Sequence, residues 1–248
     1  MVKRSRHAAH DPAASAKVQP LFGPTETWSP VSAEPAAERD RSYLRRVRPQ
    51  SENQRRLMTA IDGFDLTLAL GPAGTGKTYL AVAAAVEAFE AGRVGRIVLS
   101  RPAVEAGEAL GFLPGDLHDK LAPYLRPLYD ALSDRLGNKR LKALLAEGSI
   151  EIAPVAYMRG RTLNNAFIVI DEAQNCTYGQ IKMLLTRLGW HSTMVLTGDP
   201  DQSDLLPGLS GLIEIARRLE AVADVGLVRL TDTDVVRHPL VAGVLKVI

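Results

Sequence analysis

Beyond residue 50, short runs of apolar residues alternate with segments whose apolar residues recur at helical spacing. The apolar runs are rich in leucine, isoleucine and valine and show little polar alternation, which is typical of strands buried on both faces. They predict six strands, at residues 66–70, 96–100, 150–153, 167–170, 193–197 and 225–230.

The segments between these runs predict helices. Ser51 followed by Gln54 resembles a capping box that opens a first helix extending through Ala60. A later helix has its apolar face at Ile181, Leu184, Leu185 and Leu188. The other helices are predicted at residues 79–90, at about 117–136 with interruptions at Pro123 and Pro127, at about 139–147, at 212–219 and at 235–247.

Strands that alternate with helices predict an α/β fold, with a parallel sheet flanked by helices on both faces. Residues 101–149 are long for one connection and predict a helical insertion after the second strand. In open sheets of this kind, ligands bind at the carboxyl ends of the strands. The polar motifs of this sequence fall at those ends.

The first 45 residues have a different character. They contain five prolines and no apolar periodicity, which predicts a disordered basic tail before a single domain at residues 46–248. Residues 1–48 hold nine Lys/Arg and five Asp/Glu, a balance of 9 − 5 = +4, and the chain total of +2 leaves −2 for the remainder. The net charge of the domain therefore does not indicate a strongly basic nucleic-acid surface.

The cysteine content and the hydropathy indicate a compartment. The chain has one cysteine, Cys176, which excludes an internal disulfide and suits a reducing environment. No apolar run approaches the roughly 18 residues of a membrane-spanning helix. The basic amino terminus lacks the apolar segment of a secretory signal. These features predict a cytoplasmic protein that does not bind membranes.

Residues 71–78 carry the most specific motif. Gly71, Pro72, Ala73, Gly74, Thr75, Gly76, Lys77 and Thr78 fit the Walker A pattern, between a predicted strand and a predicted helix. Glycines in this context let backbone N–H groups surround a polyphosphate at a helix amino terminus. Lys77 is then expected to reach the β- and γ-phosphates, and the Thr78 hydroxyl to hold Mg²⁺.

A second motif closes the strand at residues 167–170. Asp171 and Glu172 follow it directly, as in a Walker B motif. Asp171 is expected to hold Mg²⁺ through water, and Glu172 to polarise the attacking water. A pair of acids at a strand end is common, and the preceding Walker A motif gives this pair its significance.

Two further positions remain open from the residues alone. Gln202 follows a strand end at residues 197–202 and is either a sensor of the γ-phosphate or part of an ordinary turn, since Gly-Asp-Pro-Asp favours turns. Arg237 precedes the last predicted helix and is either a γ-phosphate ligand or a surface arginine.

Gln54, residues 71–78, residues 171–174 and the Gly198-Asp199-x-x-Gln202 sequence resemble, in this order, the nucleotide-site motifs of superfamily 1 helicases. A closer resemblance, from Gln50 to the carboxyl terminus, is to the PhoH-like family of phosphate-starvation-type P-loop ATPases. It rests on the segments at residues 101–108, 110–116, 123–130, 157–162 and 235–240.

The resemblance implies a single RecA-like core that binds ATP and Mg²⁺. It implies that Gln54 reads the adenine edge, that Gln202 senses the γ-phosphate and that Arg237 contacts it. It also implies a link to RNA metabolism. Many relatives carry a further domain where this chain has the predicted tail, and Pro200 and residues 206–209 depart from the expected loop near Gln202.

The function expected on these grounds is Mg²⁺-dependent ATP hydrolysis coupled to RNA binding or remodelling, with RNA helicase activity as one form. One RecA-like core lacks a partner core, so movement on RNA would require a homo-oligomeric ring. Arg101, Arg159 and Arg161 are candidate RNA contacts, with structural salt bridges as the alternative reading of Arg159 and Arg161. The alternative function is an ATP-switched regulatory module that recruits a ribonuclease or another partner without unwinding.

Overall fold

The computed structural model describes residues 47–102 and 117–236, with the side chains of residues 117–121 left out. Six strands lie in these ranges, each close to a predicted apolar run. They are β1 (Leu66–Leu70), β2 (Arg96–Arg101), β3 (Ile150–Pro154), β4 (Ala166–Ile170), β5 (Thr193–Gly198) and β6 (Val225–Arg229).

Six α-helices connect and cover the strands within the described ranges. They are α1 (Glu52–Gly63), α2 (Lys77–Glu90), α3 (Leu117–Leu136), α4 (Asn138–Ala146), α5 (Tyr178–Leu185) and α6 (Leu212–Leu219). Short 3₁₀ helices at Val155–Met158, Ala173–Asn175 and Asp232–Asp234 follow the ends of β3, β4 and β6.

The strands form one sheet in the order β3-β2-β4-β5-β1-β6, with every neighbouring pair parallel. Strand β5 lies between β1 and β4, so the segments that follow these three strands meet at one edge. The expected α/β fold, with a parallel sheet, flanking helices and a helical insertion after the second strand, is therefore confirmed.

Two apolar cores cover the two faces of the sheet. Alternate residues of a strand enter opposite cores, as in β4, where Val169 joins one core and Ile168 joins the other. Helices α1 to α4 cover the first face and helices α5 and α6 the second. Because both faces are covered, the central strands are almost entirely buried.

The first helix begins as predicted but uses its cap differently. The Ser51 hydroxyl accepts a hydrogen bond from the Gln54 N–H (3.1 Å). The Gln54 side chain accepts from the Gln50 N–H (2.7 Å) instead of the Ser51 N–H. The second hydrogen bond of the capping box is therefore made to the N–H of Gln50, one residue before the cap, and not to the N–H of the cap residue Ser51.

The predicted interruptions of α3 are wrong. The helix runs continuously through Pro123 and Pro127. A proline inside a helix costs about 3 kcal/mol. Helix α3 offsets this cost by burying Leu125, Leu128 and Leu132 in the first core.

The predicted helix at residues 235–247 can be compared only at its start. Val235 has an extended conformation and Val236 is not helical, so the described residues place no helix there. The rest of that prediction, and the tail predicted for residues 1–45, lie outside the described residues. Among the described residues, no helix has the length and apolarity needed to cross a membrane.

Candidate functional site

The loop between β1 and α2 opens around the amino terminus of α2. Gly71, Gly74 and Gly76 all have positive φ angles, of 143°, 83° and 82°. Gly76 is the residue that precedes the helix, and its left-handed backbone turns the chain into α2. This arrangement exposes helix N–H groups toward the carboxyl edge of the sheet, where an anion can bind.

Lys77 lies inside this loop and is almost fully buried. Its ammonium group donates to the carbonyl oxygens of Gly71 (2.6 Å) and Pro72 (2.7 Å). Burial lowers the pKa of Lys77, although the nearby carboxylates of Asp199, Glu172 and Asp171 act in the opposite direction. A bound polyphosphate would offset the cost of this burial, so the loop fits an anionic ligand.

Gln54 contacts the same loop from α1 and is only 4% exposed. Its Nε2 donates to the Thr75 carbonyl (3.0 Å), and its Oε1 accepts from the Gln50 N–H. Both ends of the amide therefore bind backbone groups of the protein. Adenine recognition through both ends would require these two bonds to be replaced.

Asp171 connects three elements of the site. Its Oδ1 accepts hydrogen bonds from the hydroxyls of Thr78 and Thr197, both at 2.6 Å. Its backbone N–H donates to the Ser100 carbonyl (2.8 Å), which fixes the end of β4 against β2. Hydroxyl and carboxylate oxygens are ligands that Mg²⁺ prefers, so these residues fit the magnesium ion implied by the motifs.

Glu172 has a left-handed backbone (φ 53°, ψ 42°), which is uncommon for a residue other than glycine. Its Oε1 accepts from an Nη2 hydrogen of Arg101 (3.2 Å), and its Oε2 accepts from Nε2 of Gln174. Arg101 also lies 3.5 Å from Oδ2 of Asp171. One arginine at the end of β2 therefore pairs with both acids of the Walker B motif.

Gln174 and Thr197 are site residues to which the sequence analysis gave no role. Gln174 is buried, and its Oε1 accepts from the Asp199 N–H (3.1 Å). It thereby joins Glu172 to the segment after β5, in which the Gln202 N–H donates to the Asp199 carbonyl (3.2 Å). Gln174 could have been singled out from its place in the Asp-Glu-Ala-Gln motif, whereas Thr197 carried no signal beyond its strand end.

A cavity of about 290 Å³ lies at the carboxyl edge of the sheet. Its walls include Gly74, Gly76, Lys77 and Thr78 from the loop, Asp171 and Glu172 from the segment after β4, and Gln202 from the segment after β5. The structure therefore brings together most of the predicted nucleotide-site residues. Arg237 lies outside the described residues, although the N–H of its neighbour Val236 donates to the Gly74 carbonyl (3.0 Å).

The three candidate RNA contacts differ in their surroundings. The guanidinium of Arg101 pairs with the two site acids, Asp171 and Glu172. Arg161 donates to both carboxylate oxygens of Glu151 at 2.6 Å, and this hydrogen bond lowers the pKa of Glu151. Arg159 is exposed and follows Tyr157, whose side chain is also exposed.

Comparison with known proteins identifies relatives of this chain. The model of the family described as PhoH-like protein matches residues 46–248. A PhoH-like protein of Bacillus subtilis is 54% identical over 201 residues, which cover 81% of this chain and 63% of that protein. A PhoH-like protein of Mycobacterium tuberculosis is 56% identical over 199 residues, which cover 80% and 56% of the two chains.

Protein PhoH of Escherichia coli is 47% identical over 194 residues, which cover 77% of this chain and 55% of that protein. The chain thus spans less than two thirds of the length of these curated relatives. Among solved structures, the large terminase of a thermophilic bacteriophage superposes with a TM-score of 0.51 at 12% identity, covering 80% of this chain and 50% of that one. This likeness concerns the fold alone.

Proposed function

Because the chain belongs to the PhoH-like protein family and has the RecA-like fold of a P-loop NTPase, we propose that it hydrolyses ATP with Mg²⁺ and couples hydrolysis to RNA. The observation that carries the proposal is the junction of the Walker A loop with Asp171 and Glu172 in one cavity. A cytoplasmic location is part of the same proposal, and rests on the single cysteine.

The residues of the site would divide the work. The N–H groups of the 71–78 loop and the Lys77 ammonium bind the phosphates, in place of the carbonyls that Lys77 now contacts. Thr78 and Asp171 hold Mg²⁺, which supplies positive charge to the phosphate oxygens when bound. Glu172 orients and polarises the attacking water.

Two further roles complete the proposed site. Gln202 lines the cavity and is connected through Asp199 to Gln174, which supports a role in responding to a γ-phosphate. Arg237 would neutralise charge on the γ-phosphate. Its role is supported by the hydrogen bond that Val236, the residue before it, donates to the phosphate loop.

Steady-state ATP hydrolysis by the purified full chain tests this proposal. Lys77→Ala is expected to lose nucleotide binding, whereas Glu172→Gln should bind ATP and lose at least about 100-fold in kcat, as expected for removal of a general base. Equal activity of the wild type and Glu172→Gln would exclude the proposed role of Glu172.

Coupling to RNA is proposed at the 3₁₀ helix Val155–Met158, which follows β3 and lies at the same edge of the sheet as the ATP site. Tyr157 is 54% exposed there, and Arg159 follows it. An exposed ring and an exposed arginine two residues apart suit stacking on a base and pairing with a phosphate. Single-stranded RNA should therefore raise kcat, and Arg159→Ala should weaken that stimulation.

Movement on RNA would further require a ring, because one RecA-like core supplies only one side of a two-core ATP site. Sedimentation with a non-hydrolysable ATP analogue and Mg²⁺ tests this part of the proposal. Monomers alone under these conditions would exclude the ring and leave the ATPase proposal intact.

An exposed apolar surface favours a second candidate function. Leu206, Leu209 and Ile213 are at least half exposed; the first two lie between Gln202 and α6, and Ile213 lies in the first turn of α6. Apolar groups exposed on a loop that senses the γ-phosphate suit a module that recruits a protein partner, such as a ribonuclease, in one nucleotide state. Hydrolysis that is indifferent to RNA would favour this function over RNA remodelling.

A further inference from the structure

Both carboxylate oxygens of Glu172 are engaged by protein groups. The Arg101 guanidinium holds Oε1 from the end of β2, and the Gln174 amide holds Oε2 from the turn after β4. The two donors belong to different elements, so together they fix the direction of the carboxylate. A carboxylate that activates water must direct a lone pair at that water, and here one lone pair of each oxygen is already used by a protein donor.

From this arrangement, and building on the ATPase activity proposed above, we propose that Arg101 is a positioning residue that restrains Glu172 between turnovers and releases it for hydrolysis. Gln174 keeps the carboxylate attached to the segment after β5, while Arg101 is the partner that leaves. The site is therefore regulated through the end of β2, and not only through the phosphate loop.

A second cavity beside the nucleotide site contains other carboxylates with which Arg101 can pair. Arg101 borders a cavity of about 480 Å³ next to the nucleotide site, together with Glu172. Asp130 and Asp134 of α3 line the same cavity. A guanidinium that leaves Glu172 thus has two other carboxylates in the same cavity, and pairing with them is its second arrangement in this proposal.

Electrostatic repulsion is the reason that Arg101 moves away from Glu172 in this proposal. Arg101 lies 3.5 Å from Oδ2 of Asp171, the residue proposed to hold Mg²⁺. Mg²⁺ held by Asp171 would repel the guanidinium, because both carry positive charge. Binding of Mg²⁺ with ATP therefore favours the arrangement in which Arg101 has moved toward α3 and Glu172 has lost one of its two partners.

Kinetics of Arg101→Ala provide the first test. The kcat for ATP should rise by about fivefold, the upper end of what a partly exposed ion pair contributes. Arg101→Lys keeps the charge but lacks the forked guanidinium that reaches two carboxylates, so its kcat should lie between those of the wild type and Arg101→Ala. A lower kcat in Arg101→Ala, with an intact fold by circular dichroism, overturns the proposal, because Arg101 would then assist hydrolysis.

A binding measurement gives an independent readout. The Kd of a fluorescent, non-hydrolysable ATP analogue is measured for the wild type and Arg101→Ala, with Mg²⁺ and with EDTA. Arg101→Ala should tighten binding severalfold with Mg²⁺ and leave it unchanged with EDTA. An equal change under both conditions would indicate a structural effect of the substitution and overturn the proposal.

The second position of Arg101 is tested on α3 with a matched control. Asp134→Asn removes a carboxylate of the second cavity and weakens the hydrogen bond that Tyr79 donates to Asp134 (2.8 Å). Tyr79→Phe removes the same hydrogen bond and keeps the carboxylate. The kcat should fall in Asp134→Asn relative to Tyr79→Phe, and this difference should vanish when Arg101→Ala is present in both.

Two failures can be told apart. If the wild-type chain neither binds nor hydrolyses ATP, the proposed function fails and the release of Glu172 fails with it. If the wild type hydrolyses ATP and Arg101→Ala changes neither kcat nor the Mg²⁺-dependent Kd, the ATPase stands and the role of Arg101 alone is excluded.

Discussion

At the scale of single residues, Gly71 shows how closely the phosphate loop is packed. A Cβ atom at this position would lie 2.3 Å from the Leu230 carbonyl oxygen, and the φ of 143° disfavours any L side chain. Gly71→Ala should therefore destabilise the protein by at least about 2 kcal/mol, as strained or overpacked substitutions do. Urea unfolding monitored by circular dichroism measures this change.

Gly63→Ala is the matched control for Gly71→Ala. A Cβ atom at Gly63 would meet nothing within 4 Å, and its φ is not positive. It should leave stability unchanged or raise it by up to about 1 kcal/mol. If both alanine variants unfold at the same urea concentration, the close approach of Gly71 to Leu230 is not present in solution.

A substitution at Gln54 distinguishes two roles of its side-chain amide, support of the phosphate loop and recognition of adenine. Gln54→Glu keeps the acceptor for the Gln50 N–H and loses the donor to the Thr75 carbonyl. If Gln54 supports the loop, as its contacts indicate, the Kd values for ATP and GTP should weaken by the same factor, about tenfold for the loss of a buried bond. A loss confined to ATP would instead support adenine recognition, and competition binding with both nucleotides distinguishes the two.

Individual site residues were predictable where a local pattern determines them. The spacing within residues 71–78 identifies Lys77 and Thr78 because the loop and the helix start are contiguous in sequence. The bond from Thr197 to Asp171 depends instead on β5 lying beside β4, and that order is a tertiary property. The pairing of Arg101 with Asp171 and Glu172 has the same origin, since β2 and β4 are neighbours only in the folded sheet.

At the scale of elements, the turn after β3 presents a matched pair of arginines. Arg161 forms two hydrogen bonds with Glu151 of β3, whereas Arg159 on the same turn is exposed. Arg161→Ala should lower the free energy of unfolding by about 1 kcal/mol, the contribution of a partly exposed pair with good geometry. Arg159→Ala should leave stability unchanged.

RNA binding should be weakened by Arg159→Ala and not by Arg161→Ala. Arg159→Ala is expected to raise the Kd for single-stranded RNA and to reduce the salt dependence of binding by about one ion. Arg161→Ala should bind RNA as the wild type does at a temperature where it is folded. Fluorescence anisotropy at several salt concentrations measures this, and equal losses in both variants would contradict an RNA contact confined to Arg159.

The strands were more predictable than helix α3. Strands of a parallel sheet are buried on both faces, so each appears in the sequence as a continuous apolar run. The prolines of α3 indicate a break locally, but the buried leucines on the opposite side of the helix hold it together. Tertiary packing overrides local helix propensity in α3. The sequence alone does not show this, because the surface against which the leucines pack is known only in the fold.

At the scale of the whole molecule, alternation of strands and helices predicts the fold class but not the sheet order. After the helical insertion the chain forms β3, which is an edge strand next to β2. Strand β6 is the opposite edge strand, next to β1. These placements depend on which apolar faces meet across the sheet. The site could still be located, because the carboxyl ends of parallel strands share one edge in any such order.

Cys176 provides a reporter of the whole fold. It is the single cysteine of the chain, it is fully buried in the second core, and burial raises the pKa of its thiol to about 12. Since the folded pKa lies above the unfolded value of 9.0, stability is independent of this group below pH 9 and falls as the pH rises from 9 toward 12. At pH 8 the native thiol should react with a disulfide reagent only through opening of the core.

Labelling of Cys176 should therefore be slow in the native protein and reach one thiol per chain in denaturant, with Cys176→Ala as the control that shows no labelling. A nucleotide that binds only the folded state suppresses opening by the factor 1 + [L]/Kd, about 100-fold at 100 times the Kd. ATP with Mg²⁺ should slow labelling by this factor, and Lys77→Ala should abolish the effect. Rapid labelling of the native protein that ATP does not slow would show that the site and the second core are not one cooperative unit.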